Sequence, residues 1–193
     1  MITAVVIFAT VLMAVWLLLP KLQPKPEFFS DSFENGFGDW TLDSQVPEDP
    51  NNPGETVAWK IERTSDVSLS GDHSVLFQID GTQDDGTIWL ERKLELPSNS
   101  AKIVTLSFQL WSPSESFNTI AVVVAYIGED NAEVEDDFHV LGAADQVAGW
   151  KAYSLSVETN TGSLGEVFVA FGISVRWETE MSYFADSVEI AAS

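Results

Sequence analysis

Hydrophobic and polar residues alternate along most of the chain from residue 28 onward, with a period of two and no convincing helical period. Successive side chains of a β-strand point to opposite faces of a sheet, so this pattern predicts half-buried strands. Such segments lie at 57–62, 74–80, 88–96, 106–111, 120–127, 153–157, 167–175 and 183–190. The run at 120–127 is almost continuously apolar, which predicts a strand covered on both sides. The chain should therefore contain about nine or ten strands.

Turn-rich loops separate these segments, at 47–55, 80–86, 128–137 and 159–165. The loop 128–137 carries six acidic residues and is predicted to be solvated and flexible. Many short antiparallel strands predict an all-β fold, a two-sheet antiparallel jelly-roll sandwich that spans residues 28–193 as one domain.

The alternation places two tryptophans on polar strand faces. Trp89 shares its face with Glu91, Lys93 and Glu95, and Trp111 lies at the end of its strand on the polar side. Sugar rings stack on exposed tryptophan faces, so both are predicted ligand-binding residues, although each could equally be an interface residue or lie under a loop. The other tryptophans are assigned as follows: Trp59 and Trp177 to the core, Trp40 and Trp150 to turns that seal the sandwich edges.

The N-terminal segment 2–19 is apolar and has no charge over 18 residues. As a helix it would be about 27 Å long, close to the thickness of a bilayer core. We therefore predict a transmembrane anchor at 1–20 and a linker at 21–27. A cleaved signal peptide is the alternative, but no charged region precedes the segment and no small-residue cleavage site closes it. Lys21 and Lys25 favour a cytoplasmic C-terminal side, whereas the domain type described below favours an extracytoplasmic one, which we prefer.

Composition excludes several classes of function. The 30 acidic and 9 basic residues give a formal net charge of -21, which opposes binding to nucleic acid. The chain has no cysteine and only two histidines, which excludes disulfides, thiolate metal sites and multi-histidine centres.

Four short motifs resemble the galactose-binding-like jelly rolls, a group that includes many carbohydrate-binding modules. The opening at 31–40, DSFENGFGDW, is similar to their first strand and turn, and the closing YFADSVEI at 183–190 resembles their last strand. The segment SGDHSV at 70–75 and the segment GWKAY at 149–153 are similar to two internal turns and strand starts. The resemblance covers the whole region after the linker and implies the sandwich fold.

The same resemblance implies a structural Ca²⁺ beside the first and last strands. Glu34 and Asp186 match the carboxylates that hold the ion in that family, and Asp31 is a further candidate ligand. Calcium takes six to eight oxygen ligands, which two chain ends and a loop can supply. The alternative is that these acids cap turns and face water.

We expect a non-catalytic, membrane-anchored binding module that recognises a glycan or a surface partner. The alternative is a structural accessory subunit whose helix packs into a membrane complex. A third hypothesis is a carbohydrate hydrolase, which would need two carboxylates about 5–10 Å apart in a cleft. No nucleophile elbow, P-loop or dinucleotide fingerprint occurs, so no catalytic residue is predicted.

Overall fold

The computed structural model describes residues 26–80, 85–116, 121–176 and 180–193. These residues form eleven strands and one short 3₁₀ turn. In chain order they are β1 (Glu27–Asp31), β2 (Thr41–Gln45), β3 (Trp59–Thr64), β4 (Ser74–Asp80), β5 (Asp85–Glu95), β6 (Ala101–Ser112), β7 (Ala121–Gly128), the 3₁₀ turn (Glu135–Asp137), β8 (His139–Ala143), β9 (Gly149–Asn160), β10 (Glu166–Arg176) and β11 (Glu180–Ala192).

The strands form two antiparallel sheets that pack face to face. The first sheet has the order β3-β4-β11-β6-β9, and β1 also pairs with β11. The second sheet has the order β2-β5-β10-β7-β8. From β4 to β7 each strand lies in the opposite sheet from the strand before it, so the connections cross between the layers. The predicted all-β, two-sheet antiparallel sandwich is confirmed.

Aromatic rings of both sheets meet at the centre of the core. Phe171 of β10 is fully buried, and it contacts the rings of Trp40, Phe77 and Phe108 at centroid distances of 5.2, 6.0 and 4.6 Å. Burial of one such side chain stabilises the fold by about 1.5–3 kcal/mol. Trp40 is therefore a core residue at the sandwich edge, as its position in a turn predicts.

Three short strands were not predicted from the alternation: β1, β2 and β8. Each has five residues and lies at a sheet margin or beside only part of a neighbour, so its side chains are mostly exposed or half-buried. The sheet also begins at Glu27, one residue before the predicted start of the domain. The prediction that 120–127 is covered on both sides is confirmed, because inward-facing Val123 and outward-facing Val124 of β7 are both buried.

Some predictions fall on residues that the structure does not describe. The anchor at 2–19, most of the linker 21–27, the centre of the loop 80–86 and Trp177 lie outside the described ranges. In the ranges that are described, no helix is long and apolar enough to cross a membrane.

Candidate functional site

The outer face of the first sheet carries a row of apolar side chains that runs across four neighbouring strands. Leu76 of β4 pairs with Phe184 of β11, and Phe184 pairs with Trp111 of β6. Trp111 in turn pairs with Trp150 of β9. Adjacent strands lie about 4.8 Å apart, so the row spans roughly 14 Å. These four residues are called the aromatic row below.

The aromatic row lies on the outer face of the sheet, where Leu76 is buried at one end and the three aromatic side chains are half-buried. Phe77, Leu110 and Tyr153, which neighbour it in sequence, point inward and are buried. Phe184 and Trp111 are half-buried, and their rings meet edge to face at a centroid distance of 5.5 Å. Each ring therefore restricts the rotation of its neighbour, so less side-chain conformational entropy would be lost when a ligand binds.

Polar side chains border the aromatic row. At its Leu76 end Lys60 and Glu62 form an exposed ion pair of 2.7 Å, and Gln78 donates a hydrogen bond of 3.1 Å to Ser182. A groove of about 190 Å³ adjoins this border and is lined by Ala58, Trp59, Lys60, Gln78 and Asp80. An apolar floor with amide, hydroxyl and charged groups at its rim is the general chemistry of a small-molecule or sugar site.

Trp111 thus lies on the outer face, as the alternation predicts, and its role as a ligand-binding residue stays a prediction. The prediction that Trp150 seals a sandwich edge is wrong. Trp150 is the second residue of β9, and its register places it directly opposite Trp111 on the outer face, where it is half-buried.

The expectation that Trp89 has an exposed face is also wrong. Trp89 does point out of the core, but its side chain is 0% exposed. The ring of Phe138 covers it at a centroid distance of 5.1 Å. Gly172 is its cross-strand partner on β10, and a Cβ at Gly172 would lie 2.7 Å from the Cα of Trp89, so only glycine allows this close approach. In this structure Trp89 cannot stack on a sugar.

The segment that covers Trp89 consists of residues 129–138 and is called the strap below. The main-chain N–H of Ala132 donates to Glu91 Oε2 at 3.0 Å, and that of Glu135 donates to Gln45 Oε1 at 2.5 Å. The hydroxyl of Ser174 donates to Glu135 Oε1 at 3.0 Å. Strands β2, β5 and β10 therefore all hold the strap. Most of its residues are exposed, so the predicted solvation of the loop 128–137 is confirmed, and its flexibility stays a prediction.

Glu91 lies beneath the strap and is the most buried carboxylate of the outer face of the second sheet. Burial raises its pKa above the ordinary value, and the charges of Asp43 and Glu133 raise it further. The hydrogen bond from Ala132 acts in the opposite direction. This carboxylate is therefore easier to protonate when the strap is closed over it.

The three predicted calcium ligands have other partners. Asp186 is 0% exposed, and its Oδ2 accepts the main-chain N–H groups of Leu69 and Ser70, each at 2.8 Å. Glu34 accepts the N–H groups of Asp72 and His73, which lowers its pKa. Asp31 Oδ1 accepts the N–H of Phe33 at 2.8 Å.

Glu34 and Asp186 thus hold the two ends of one loop, residues 69–73. Gly71 lies between them with φ +69°, and a Cβ there would lie 2.5 Å from the Glu34 carboxyl group, which explains why this turn contains glycine. Nearby, the guanidinium of Arg63 donates to the carbonyl oxygens of Phe33 and Glu34 at 2.6 and 2.5 Å.

This arrangement does not fit a calcium cage. No three acidic or histidine side chains converge anywhere in the described part of the chain. Arg63 already supplies positive charge to two of the carbonyls beside Glu34. The contacts thus give Glu34 and Asp186 a role in holding a loop, and calcium binding by them stays a prediction.

Comparison with known proteins identifies the fold only. No family model matches the sequence, and the search of curated proteins finds no match either. Among solved structures, one of carbohydrate-binding modules from the β-sandwich superfamily matches with a TM-score of 0.55 and 15% identity, over 81% of this chain and 59% of that one.

Two other solved structures are similar. The CBM22-1 xylan-binding domain from Paenibacillus barcinonensis Xyn10C matches with a TM-score of 0.51 and 16% identity, over 88% of this chain and 97% of that one. The enzymatically active domain of a bacteriophage CBA120 tailspike protein matches at 0.52 and 11% identity, over 82% of this chain and 20% of that one. The chain therefore has the β-sandwich fold found in carbohydrate-binding modules.

Proposed function

We propose that this chain is a non-catalytic glycan-binding module whose binding surface is the aromatic row. The observation that carries the proposal is the line of the half-buried Phe184, Trp111 and Trp150 across three adjacent strands on the outer face of the first sheet. A sugar chain laid across the strands would place successive apolar ring faces over successive aromatic side chains.

The fold supports this proposal. Carbohydrate-binding modules are among its structural neighbours, but so is an enzymatically active domain, and one fold serves many functions. The non-catalytic interpretation is favoured because, of the three buried carboxylates among the described residues, Asp186 and Glu91 accept hydrogen bonds from main-chain amides, and Asp145 lies in the interior away from the aromatic row. A role in holding loops accounts for Asp186 and Glu91.

We further propose that residues 2–19 anchor the domain in a membrane and that the sandwich lies on the extracytoplasmic side. The apolar, uncharged segment supports anchoring. The glycan-binding role proposed above supports the extracytoplasmic orientation.

Binding of the full-length chain, purified in mild detergent, to soluble xylan and to a panel of other polysaccharides tests the proposal. Trp111→Ala and Trp150→Ala should each weaken the binding of the recognised polysaccharide at least tenfold, since loss of a central aromatic contact costs about 1.4 kcal/mol or more. Both variants should keep the melting temperature of the parent within a few degrees.

Ile103→Ala is a matched control. Ile103 lies on the same outer face of β6 and is 53% exposed, but it is eight residues from Trp111, roughly 27 Å along the strand. Its substitution should leave binding unchanged. If no polysaccharide binds and Trp111→Ala instead releases the chain from a membrane complex, the accessory-subunit alternative is correct and the proposal fails.

A further inference from the structure

A buried carboxylate without a protein partner lies at one end of the sandwich. Asp145, in the turn between β8 and β9, is 2% exposed, and neither of its carboxylate oxygens has a hydrogen-bond partner among the described residues. Its main chain is well held, because its carbonyl accepts the N–H of Ser116 at 3.0 Å and the N–H of Ala144 donates to the carbonyl of Ala121 at 2.9 Å. The carboxylate is therefore fixed in the interior.

An ionised carboxylate in this position is strongly unfavourable unless something compensates its charge. Removing such a group from water costs several kcal/mol, and proteins almost always pair it or hydrogen-bond it. No ion pair to Asp145 occurs in the described part of the chain. The nearby cation Lys151 contacts the ring of Tyr153 and the amide of Gln146 instead.

Two buried tyrosines are the electrostatic neighbours of Asp145. Burial and the charge of Asp145 together raise the pKa of Tyr153 to about 12, and they raise the pKa of Tyr183 as well. Tyr153 donates its hydroxyl proton to the carbonyl of Ala143 at 2.7 Å. The hydroxyl of Tyr183, which is 1% exposed, has no partner among the described residues. Asp145 and Tyr183 thus both carry buried oxygens that have no hydrogen-bond partner among the described residues, and the two side chains do not hydrogen-bond to each other.

We propose that Asp145 is the anionic ligand of a bound alkali-metal cation, Na⁺ or K⁺, with the Tyr183 hydroxyl oxygen as a neutral ligand. The donors are all oxygens, which selects a hard cation over a transition metal. A single carboxylate is neutralised by one monovalent cation, whereas a divalent ion would leave an extra positive charge in the interior. The net charge of -21 also concentrates cations around the domain.

Thermal unfolding of the full-length chain at pH 7.5 tests this site, in NaCl, KCl, CaCl₂ and choline chloride at equal ionic strength. Choline screens surface charge but is too large to enter a site of this kind. The parent should melt at least roughly 3 °C higher in NaCl or KCl than in choline chloride. Asp145→Asn should abolish that difference, Tyr183→Phe should reduce it, and the exposed-site control Asp66→Asn should keep it.

A second comparison distinguishes cation binding from simple structural damage. In choline chloride Asp145→Asn should be as stable as the parent or more stable, because it removes an uncompensated buried charge. If it is less stable there too, a protein group holds the carboxylate and the proposal fails. Equal melting in all four salts, or stabilisation by CaCl₂ alone, also overturns the proposal.

Discussion

Replacement of Phe138 by alanine should release the strap from the second sheet without unfolding the domain. Phe138 covers Trp89, which is otherwise enclosed by its own sheet, and its ring also contacts Tyr126 at a centroid distance of 6.1 Å. Three hydrogen bonds also attach the strap to the sheet: Ala132 donates to Glu91, Glu135 donates to Gln45, and Ser174 donates to Glu135. The ring contact is thus the main apolar attachment of this segment.

The size of the effect follows from the area that Trp89 would expose. A buried tryptophan covers about 150–250 Å², and opening one side of it would expose roughly 80 Å². At about 25 cal/mol per Å², this burial stabilises the closed strap by roughly 2 kcal/mol. Loss of the phenyl ring should therefore raise the fraction of open strap by roughly 30-fold.

Hydrogen exchange measures this opening directly. The amide of Ala132, which donates to Glu91 in the closed state, should exchange roughly 30-fold faster in Phe138→Ala, while amides of the core strand β10 should change much less. Acrylamide should also quench the fluorescence of Trp89 more strongly in Phe138→Ala. The Trp89 signal is isolated by subtracting the fluorescence of the same variant made in a Trp89→Phe background.

Val140→Ala is the control for this experiment, because Val140 lies close by on β8 but is 63% exposed. It should change neither exchange nor quenching. If Phe138→Ala leaves both measurements unchanged, hydrogen bonds and not the ring hold the strap, and the area argument is wrong. If exchange accelerates equally in β10, the strap is part of the global folding unit.

Three further predictions concern the carboxylates and the N-terminal segment. Because the pKa of Glu91 is raised on folding, the parent should lose stability as the pH rises from about 4.3 through that raised value. Glu91→Gln keeps an acceptor for the N–H of Ala132 and should remove this contribution to the dependence of the melting temperature on pH. Asp186→Asn should cost roughly 2–4 kcal/mol by urea unfolding, because both carboxylate oxygens accept main-chain N–H groups, Oδ2 from Leu69 and Ser70 and Oδ1 from Ser187, and the NH₂ of an amide cannot accept any of them. That loss should be the same with and without EDTA, whereas a calcium-ligand role would make the parent, but not the variant, sensitive to EDTA. The full-length chain should stay with membranes after carbonate washing, and a mature N-terminus beyond residue 20 would show instead that 2–19 is a cleaved signal.

The alternation of residue types was a reliable guide to the side of each sheet on which a residue lies. It placed Phe171, Val75 and Leu110 inward and Trp89 and Trp111 outward, and the structure agrees in each case. This success has a simple cause, because the period of two is a local property of the extended backbone.

Burial on an outer face is a different matter, because it depends on what the rest of the chain places there. Trp89 is covered by Phe138, which is 49 residues later in the chain, and six acidic residues in that region indicated solvation. The aromatic row was missed for the same reason. Leu76 breaks the alternation of its strand, because it is apolar between Val75 and Phe77, but only the cross-strand register aligns it with Phe184 and Trp111.

The contrast between the two outer faces also limits which glycans the domain can bind. The strap adds its six acidic residues to the second sheet, whereas the aromatic row is bordered by amides, hydroxyls and the internally neutral Lys60–Glu62 pair. A ligand on the row still approaches a domain of net charge -21, so a polysaccharide that carries carboxylates would be repelled over a distance of about 8–10 Å at physiological salt. Neutral polysaccharides should therefore bind more tightly than uronate-rich ones of similar linkage. Raising the salt concentration should narrow the difference, because it screens the repulsion and leaves ring stacking intact. A preference for acidic polysaccharides at low salt would contradict this reasoning and would place the binding surface elsewhere than the aromatic row.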